Sequence, residues 1–188
     1  MKTLALALAA LAVLPQSTSW RGSVTRGVAL AESGGALSVR TGPAVDLWQD
    51  GARPLSGSYV VRATLRKLGG RRHEGYGIIF GGSNLGTDSA RYSYVMVRGD
   101  GNLLVKKRDG AATPVVRDWA HYAAIHADDA QSQAENVVEV SVAGANVVVK
   151  VNGTELVRVP VRELFATGQA GLRISHQMQL EVRGFDGR

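Results

Sequence analysis

Residues 136–161, NVVEVSVAGANVVVKVNGTELVRVPV, hold three valine-dense runs separated by Ala143-Gly144-Ala145-Asn146 and by Val151-Asn152-Gly153-Thr154. β-Branched side chains crowd a helix but pack well on a pleated surface, and Asn-Gly supplies the two positive-φ residues of a tight hairpin turn. The stretch therefore predicts a three-stranded antiparallel meander. Working outward, runs with strand-like composition lie near 26–31, 36–40, 44–49, 57–67, 75–81, 91–98, 102–108, 113–118, 137–142, 146–151, 155–159, 170–175 and 178–184. Turn residues separate most of them at the close spacing of a sandwich or barrel. Helix is confined to a turn near 119–124 and another at Val161 to Phe165, ahead of Gly168.

The chain has 188 residues, enough for one domain with its own core. Residues 1–19 have the pattern of a secretory signal: Lys2, then the apolar run Thr3 to Leu14, then Pro15-Gln16-Ser17-Thr18-Ser19. That pattern predicts export to the periplasm or the extracellular space, with a single β-sandwich domain over 20–188 that begins near Trp20. Pro15 stops the apolar run short of the roughly 20 residues a membrane span needs. There is no cysteine, so neither a disulfide nor thiolate chemistry is available. The formal charge of +6 favours polyanionic partners or simple solubility, and for an exported protein nucleic acid is not the expected one. The oligomeric state is not legible.

Period-2 alternation assigns faces. In 57–67, Tyr59, Val61, Ala63 and Leu65 form one row, with Arg62, Thr64 and Arg66 on the other. In the hairpin of 91–108, turned at Gly99-Asp100-Gly101, Val95, Val97, Leu103 and Val105 point one way. Tyr92, Tyr94, Met96 and Arg98 point the other, with Lys106 and Arg108. Aromatic rings beside cations on an open sheet face suit sugar binding, because pyranose C–H faces stack on rings while charged groups address hydroxyls or carboxylates. The same row equally suits cover by a second apolar layer or a loop.

Several patterns resolve to structure rather than chemistry. Gly75, Gly77, Gly81 and Gly82 flank a strand-like Ile-Ile-Phe with no helix after it, so they mark bulges or close strand approach rather than a dinucleotide loop. Arg98-Gly99-Asp100 is a hairpin turn before it is an adhesion tripeptide, and Asn152-Gly153-Thr154 is a turn before it is a glycosylation acceptor. His73-Glu74 lacks the second histidine of a zinc protease. His121 and His126 are too far apart to share a helix face. Asp88 and Asp118 lack the alternating oxygen ligands of a calcium loop. No metal or cofactor is expected.

The run Gly75-Tyr76-Gly77-Ile78-Ile79-Phe80-Gly81-Gly82, then Tyr92-Ser93-Tyr94-Val95-Met96-Val97, Val149-Lys150-Val151-Asn152-Gly153 and Gly168-Gln169-Ala170-Gly171-Leu172-Arg173, resembles concanavalin A-like jelly rolls. It looks like their laminin-G-like branch and the 3-keto-disaccharide hydrolase-like domains, over about residues 56 to 186. The resemblance implies a two-sheet antiparallel jelly roll whose concave face often binds carbohydrate. The laminarinase-type Glu-x-Asp-x-x-Glu strand is missing: none of the seven glutamates has Asp two residues later. Glycosidic cleavage needs two carboxyl groups about 5 to 10 Å apart, and no strand face shows them. The leading expectation is thus a non-catalytic, lectin-like domain for a carbohydrate polymer or oligosaccharide, acidic glycans included, with Arg62, Arg66, Tyr92, Tyr94, Arg98, Arg173 and His176 as ligand-binding residues. The alternatives are a glycoside- or disaccharide-acting hydrolase using His176, Glu139 and Asp118, and a structural or interaction module of the cell envelope.

Overall fold

The computed structural model describes residues 19–187, so the expected leader over 1–19, apart from Ser19, lies outside the described residues. Among the described residues, fourteen strands run in chain order: β1 (Trp20–Gly22), β2 (Val28–Ser33), β3 (Ala36–Thr41), β4 (Val45–Gln49), β5 (Tyr59–Gly69), β6 (Gly75–Ser83), β7 (Arg91–Arg98), β8 (Asn102–Asp109), β9 (Val115–His121), β10 (Ala134–Ala143), β11 (Asn146–Val151), β12 (Thr154–Pro160), β13 (Gln169–Ile174) and β14 (Gln179–Gly187). They form two seven-stranded antiparallel sheets, a jelly-roll-like sandwich. The first has the order β1-β4-β13-β6-β7-β8-β9 and the second β12-β11-β10-β5-β14-β3-β2. No described helix is long and apolar enough to cross a membrane.

The 136–161 meander is present as β10, β11 and β12. Val138 pairs with Val151, Val140 with Val149 and Val142 with Val147, all six buried. The turn into β12 uses Asn152 at φ 52° and Gly153 at φ 84°, both in the left-handed region that an Asn-Gly pair tolerates. The 3₁₀ turn at Val161–Glu163 is where the sequence placed a helical turn. The other expected turn, near 119–124, comes later: Trp119 to His121 continue β9, paired through Ala120 to Leu103 and through His121 to Asn102, and the chain then turns at Tyr122, whose carbonyl accepts from Ile125 N–H at 3.0 Å. β1 was not foreseen, because three residues are too few to show a period.

Inward residues of both sheets form one core that includes Leu47, Leu65, Ile78, Phe80, Val95, Val105, Val149, Leu172 and Val182. At one end of it Lys67 is fully buried and donates to the Asp128 carboxylate and to the Arg71 carbonyl (3.2 Å), which ties the 122–133 loop to the sandwich. A buried lysine is tolerable only when its charge is matched this way.

A second apolar cluster lies on the opposite, outer face of the first sheet: Ile79, Ala90, Tyr92, Tyr94, Met96 and Leu104, with Leu85 and Trp119 packed against it. β6 is consequently buried on both faces. The Gly81–Gly82 step is a bulge, as expected: Gly81 has φ 61° and the β6–β7 register shifts between Phe80 and Ser83.

Candidate functional site

Strand register builds the outer face of the first sheet. Asp46 on β4 lies opposite Arg173 on β13, which lies opposite Gly77 on β6 and, beyond it, Met96 on β7. In the next row Trp48, Gly171, Ile79, Tyr94 and Lys106 follow one another across five strands, and Tyr92 faces Arg108. Residues from β4, β7, β8 and β13, distant in sequence, thus converge on one patch.

At its centre Asp46 is almost wholly buried and accepts from two sides: Arg173 approaches Oδ1 at 2.5 Å, and the Tyr92 hydroxyl donates to Oδ2 at 2.6 Å. Arg173 also donates to the Tyr92 oxygen at 3.1 Å, closing a triangle. Arg108 stands at 3.9 Å from Asp46 Oδ2 and is fixed by its Nε bond to the Gly110 carbonyl at 2.9 Å. Burial disfavours the Arg173 cation, but the neighbouring Asp46 carboxylate outweighs it and raises the guanidinium above its ordinary value. Burial, reinforced by the Asp46 charge, raises the Tyr92 phenol, so it remains a donor.

Above this cluster is a pocket of about 250 Å³, walled by Asp46, Arg173, Arg108, Ala44, the Ser23–Val24 turn and the 86–90 part of the β6–β7 loop, which includes Asp88. Arg173 keeps a quarter of its side chain exposed there and Arg108 slightly more. The bonds to Asp46 and Tyr92 both leave from Arg173 Nη1. The arrangement offers oriented guanidinium donors beside a fixed carboxylate, which fits hydroxyl pairs, carboxylates or sulfates.

The structure brings together only part of the expected site. Tyr92, Tyr94, Arg98 and Arg173 share the outer face of the first sheet, as alternation indicated. The two tyrosines are buried, however, because Leu85 and Ala90 pack over the cluster and the Arg173 guanidinium lies 5.3 Å from the Tyr94 ring centre. They support the arginine rather than offer rings to a ligand. Arg98 is committed at the far end, bidentate to Asp100 (3.0 and 2.9 Å) and over the Trp119 ring at 4.3 Å.

Arg62 and Arg66 do not join this face. They project from β5 of the second sheet, where Arg62 lies between Glu139 and Asp186 and Arg66 between Glu135 and Glu181 in cross-strand register. Alternating charges across a sheet are mutually stabilising there. His176 is exposed in the β13–β14 turn, 3.7 Å from Glu74. Glu139 and Asp118 are equally dispersed: Glu139 faces outward on the second sheet beside Lys150, and Asp118 lies on edge strand β9 of the first, so no site forms from these two with His176. No group of three potential metal ligands occurs among the described residues.

Asp46 and Arg108 complete the pocket but were absent from the expected set. The one signal was Asp46 itself, a lone acid in the apolar strand Val45-Asp46-Leu47-Trp48.

No family model and no curated protein sequence matches the chain. Solved structures match its fold. A carbohydrate-binding module, CBM66, from Bacillus subtilis superposes with a TM-score of 0.70 at 10% identity, over 93% of this chain and 99% of its own. A protein of unknown function with a galectin-like fold from Bacillus subtilis gives 0.67 at 12% identity, covering 90% and 88%. The carbohydrate recognition domain of Emp46p in its metal-free form gives 0.61 at 11% identity, covering 87% and 85%. At such identities the likeness establishes the fold: the chain is similar to galectin-like and carbohydrate-binding jelly rolls, consistent with a concanavalin A-like sandwich.

Proposed function

We propose that this protein is an exported, non-catalytic carbohydrate-binding module that holds a sugar, preferably one bearing an acidic group, in the Asp46–Arg173–Arg108 pocket. The observation that carries this reading is Arg173: it is held through Nη1 by Asp46 and Tyr92, while a quarter of its side chain stays exposed at the pocket. A preset donor fork loses little freedom on binding and pairs bidentately with a carboxylate or sulfate. Two neighbours of this fold carry carbohydrate-binding names, which supports the same reading at the level of analogy. Catalysis is not favoured, because both Asp46 oxygens are already engaged and glycoside cleavage requires an acid and a base with opposite protonation. Export rests on the leader pattern, and N-terminal sequencing of the secreted chain is expected to start at Trp20.

Calorimetry against neutral and uronic or sulfated oligosaccharides tests the function. Binding by the parent and its loss, by about tenfold or more, in a folded Arg173→Ala variant is the expected result. Absence of binding to any glycan, or release of reducing sugar from the panel, would overturn it.

A further inference from the structure

We propose that the binding site does not end at the pocket but continues along the first sheet onto Trp48, so that a ligand of at least two sugar units spans a polar subsite and an aromatic one. The inference rests on the function just proposed. A second groove, about 450 Å³, lies at the sandwich edge, lined by Trp48, Arg21, Leu85 and Gly86 on one side and by Val28 and Leu30 of β2 on the other, and shares Val24 and Gly86 with the pocket. The two are therefore neighbouring stretches of one trench, walled along one side by the β6–β7 loop.

Their chemistry differs. The pocket presents guanidinium groups beside a carboxylate, whereas the adjoining groove presents the half-buried Trp48 indole, Leu85 and Val24, which is 37% exposed. Arg21, opposite Trp48 in register, stands at its flank and is paired to Asp50 at 2.6 Å. A sugar anchored by its acidic or hydroxyl groups at Arg173 would thus have a ring platform for the next unit of the chain. Tyr92 and Tyr94, whose faces are covered, do not serve that purpose.

The ring is positioned by backbone rather than by another side chain. Gly86 has φ 82°, and a Cβ there would lie 2.7 Å from Trp48 Cη2, so the loop meets the indole edge only because residue 86 has no side chain. On the other side, Gly171 lies in register with Trp48, and a Cβ there would come within 2.3 Å of the Leu47 carbonyl. The loop at Gly86 thus meets the indole edge, while the missing side chain at Gly171 lets β13 approach the β4 backbone beside Trp48. Fixed aromatic platforms bind with little loss of side-chain freedom.

The experiment is calorimetry of the full described domain against galacturonic acid and its di- and trisaccharides, and against glucose and its β-1,4 di- and trisaccharides. In whichever series binds, the disaccharide should bind about tenfold more tightly than the monosaccharide. Trp48→Ala should erase most of that gain while leaving monosaccharide affinity within about threefold, and Arg173→Ala should weaken every length. Trp48→Phe, which keeps a ring, should restore part of the gain and guards against a folding defect in the alanine variant. Monosaccharide binding without a length gain, or an equal loss at every length in Trp48→Ala, overturns the extension alone. No binding in either series by the parent counts against the proposed function and the extension together.

Discussion

Asp46 shows how much a single residue commits in this fold. Its carboxylate is placed on a sheet face that neighbouring side chains close to water, and it is tolerated because Tyr92 and Arg173 both donate to it. Tyr92→Phe removes one donor and leaves Oδ2 with only Arg108 at 3.9 Å. It should cost about 1–3 kcal/mol in urea unfolding, the usual penalty for a buried acceptor stripped of its partner. A change in midpoint without a change in m-value is the expected signature, and an unaltered midpoint would mean that the triangle contributes nothing.

Asp100 gives a pH test. Burial pushes its carboxyl up, but hydrogen bonds from Asn102 and Arg98 and the Arg98 charge outweigh this and hold it down to about 2. A carboxyl lowered in the folded state stabilises above its unfolded value near 4, and that contribution disappears as pH falls from about 4 through about 2. It amounts to roughly 1–2 kcal/mol for a mostly buried group. Melting temperatures of the parent and Asp100→Asn should therefore differ above pH 4 and converge below pH 2. A gap that widens on acidification would contradict the assignment.

At the scale of elements, the β11–β12 hairpin was legible and its second role was not. Asn152 and Gly153 adopt the expected turn, yet the Asn152 side chain also accepts from Val137 N–H (2.8 Å) and donates to the Ala124 carbonyl and to Asn136 Oδ1 (both 2.8 Å). A local turn signal says nothing of partners 15 to 28 residues away. Asn152→Ala should consequently cost more than the loss of a turn residue, about 2–4 kcal/mol, because it strips Val137 N–H and the Ala124 carbonyl of their side-chain partner and forces alanine to positive φ. Asn152→Gly, which keeps the backbone freedom, should recover part of that loss in the same denaturation series.

The same reasoning explains what the sequence disclosed about the face. Alternation correctly separated Val95, Val97, Leu103 and Val105 from Tyr92, Tyr94, Met96 and Arg98. It states which side of a strand a residue occupies, not which of two sheets the strand joins. Arg62 and Arg66 were grouped with Tyr92 for that reason, although β5 and β7 belong to different sheets. Burial of the tyrosines was equally invisible, since it comes from Leu85 and Ala90 in a loop and from Arg173 across the sheet.

For the molecule as a whole, the antiparallel sandwich leaves two broad outer faces with different character. The second sheet carries ion pairs such as Lys150 with Glu139 across strands at 3.7 Å and Arg183 with Glu181 along β14 at 2.6 Å, which match charge with charge on the sheet itself. The first sheet gathers Asp46, Arg108 and Arg173 under a loop, with both arginines partly exposed. The claim that ligand is held on the first sheet is tested most directly by backbone amide shift mapping of the labelled domain during titration with an acidic oligosaccharide that binds it. Perturbations are expected around residues 46–48, 86–90, 108 and 173. Perturbations centred instead on β5 and β10 around Arg62, Arg66 and Glu139, with the first sheet silent, would contradict it.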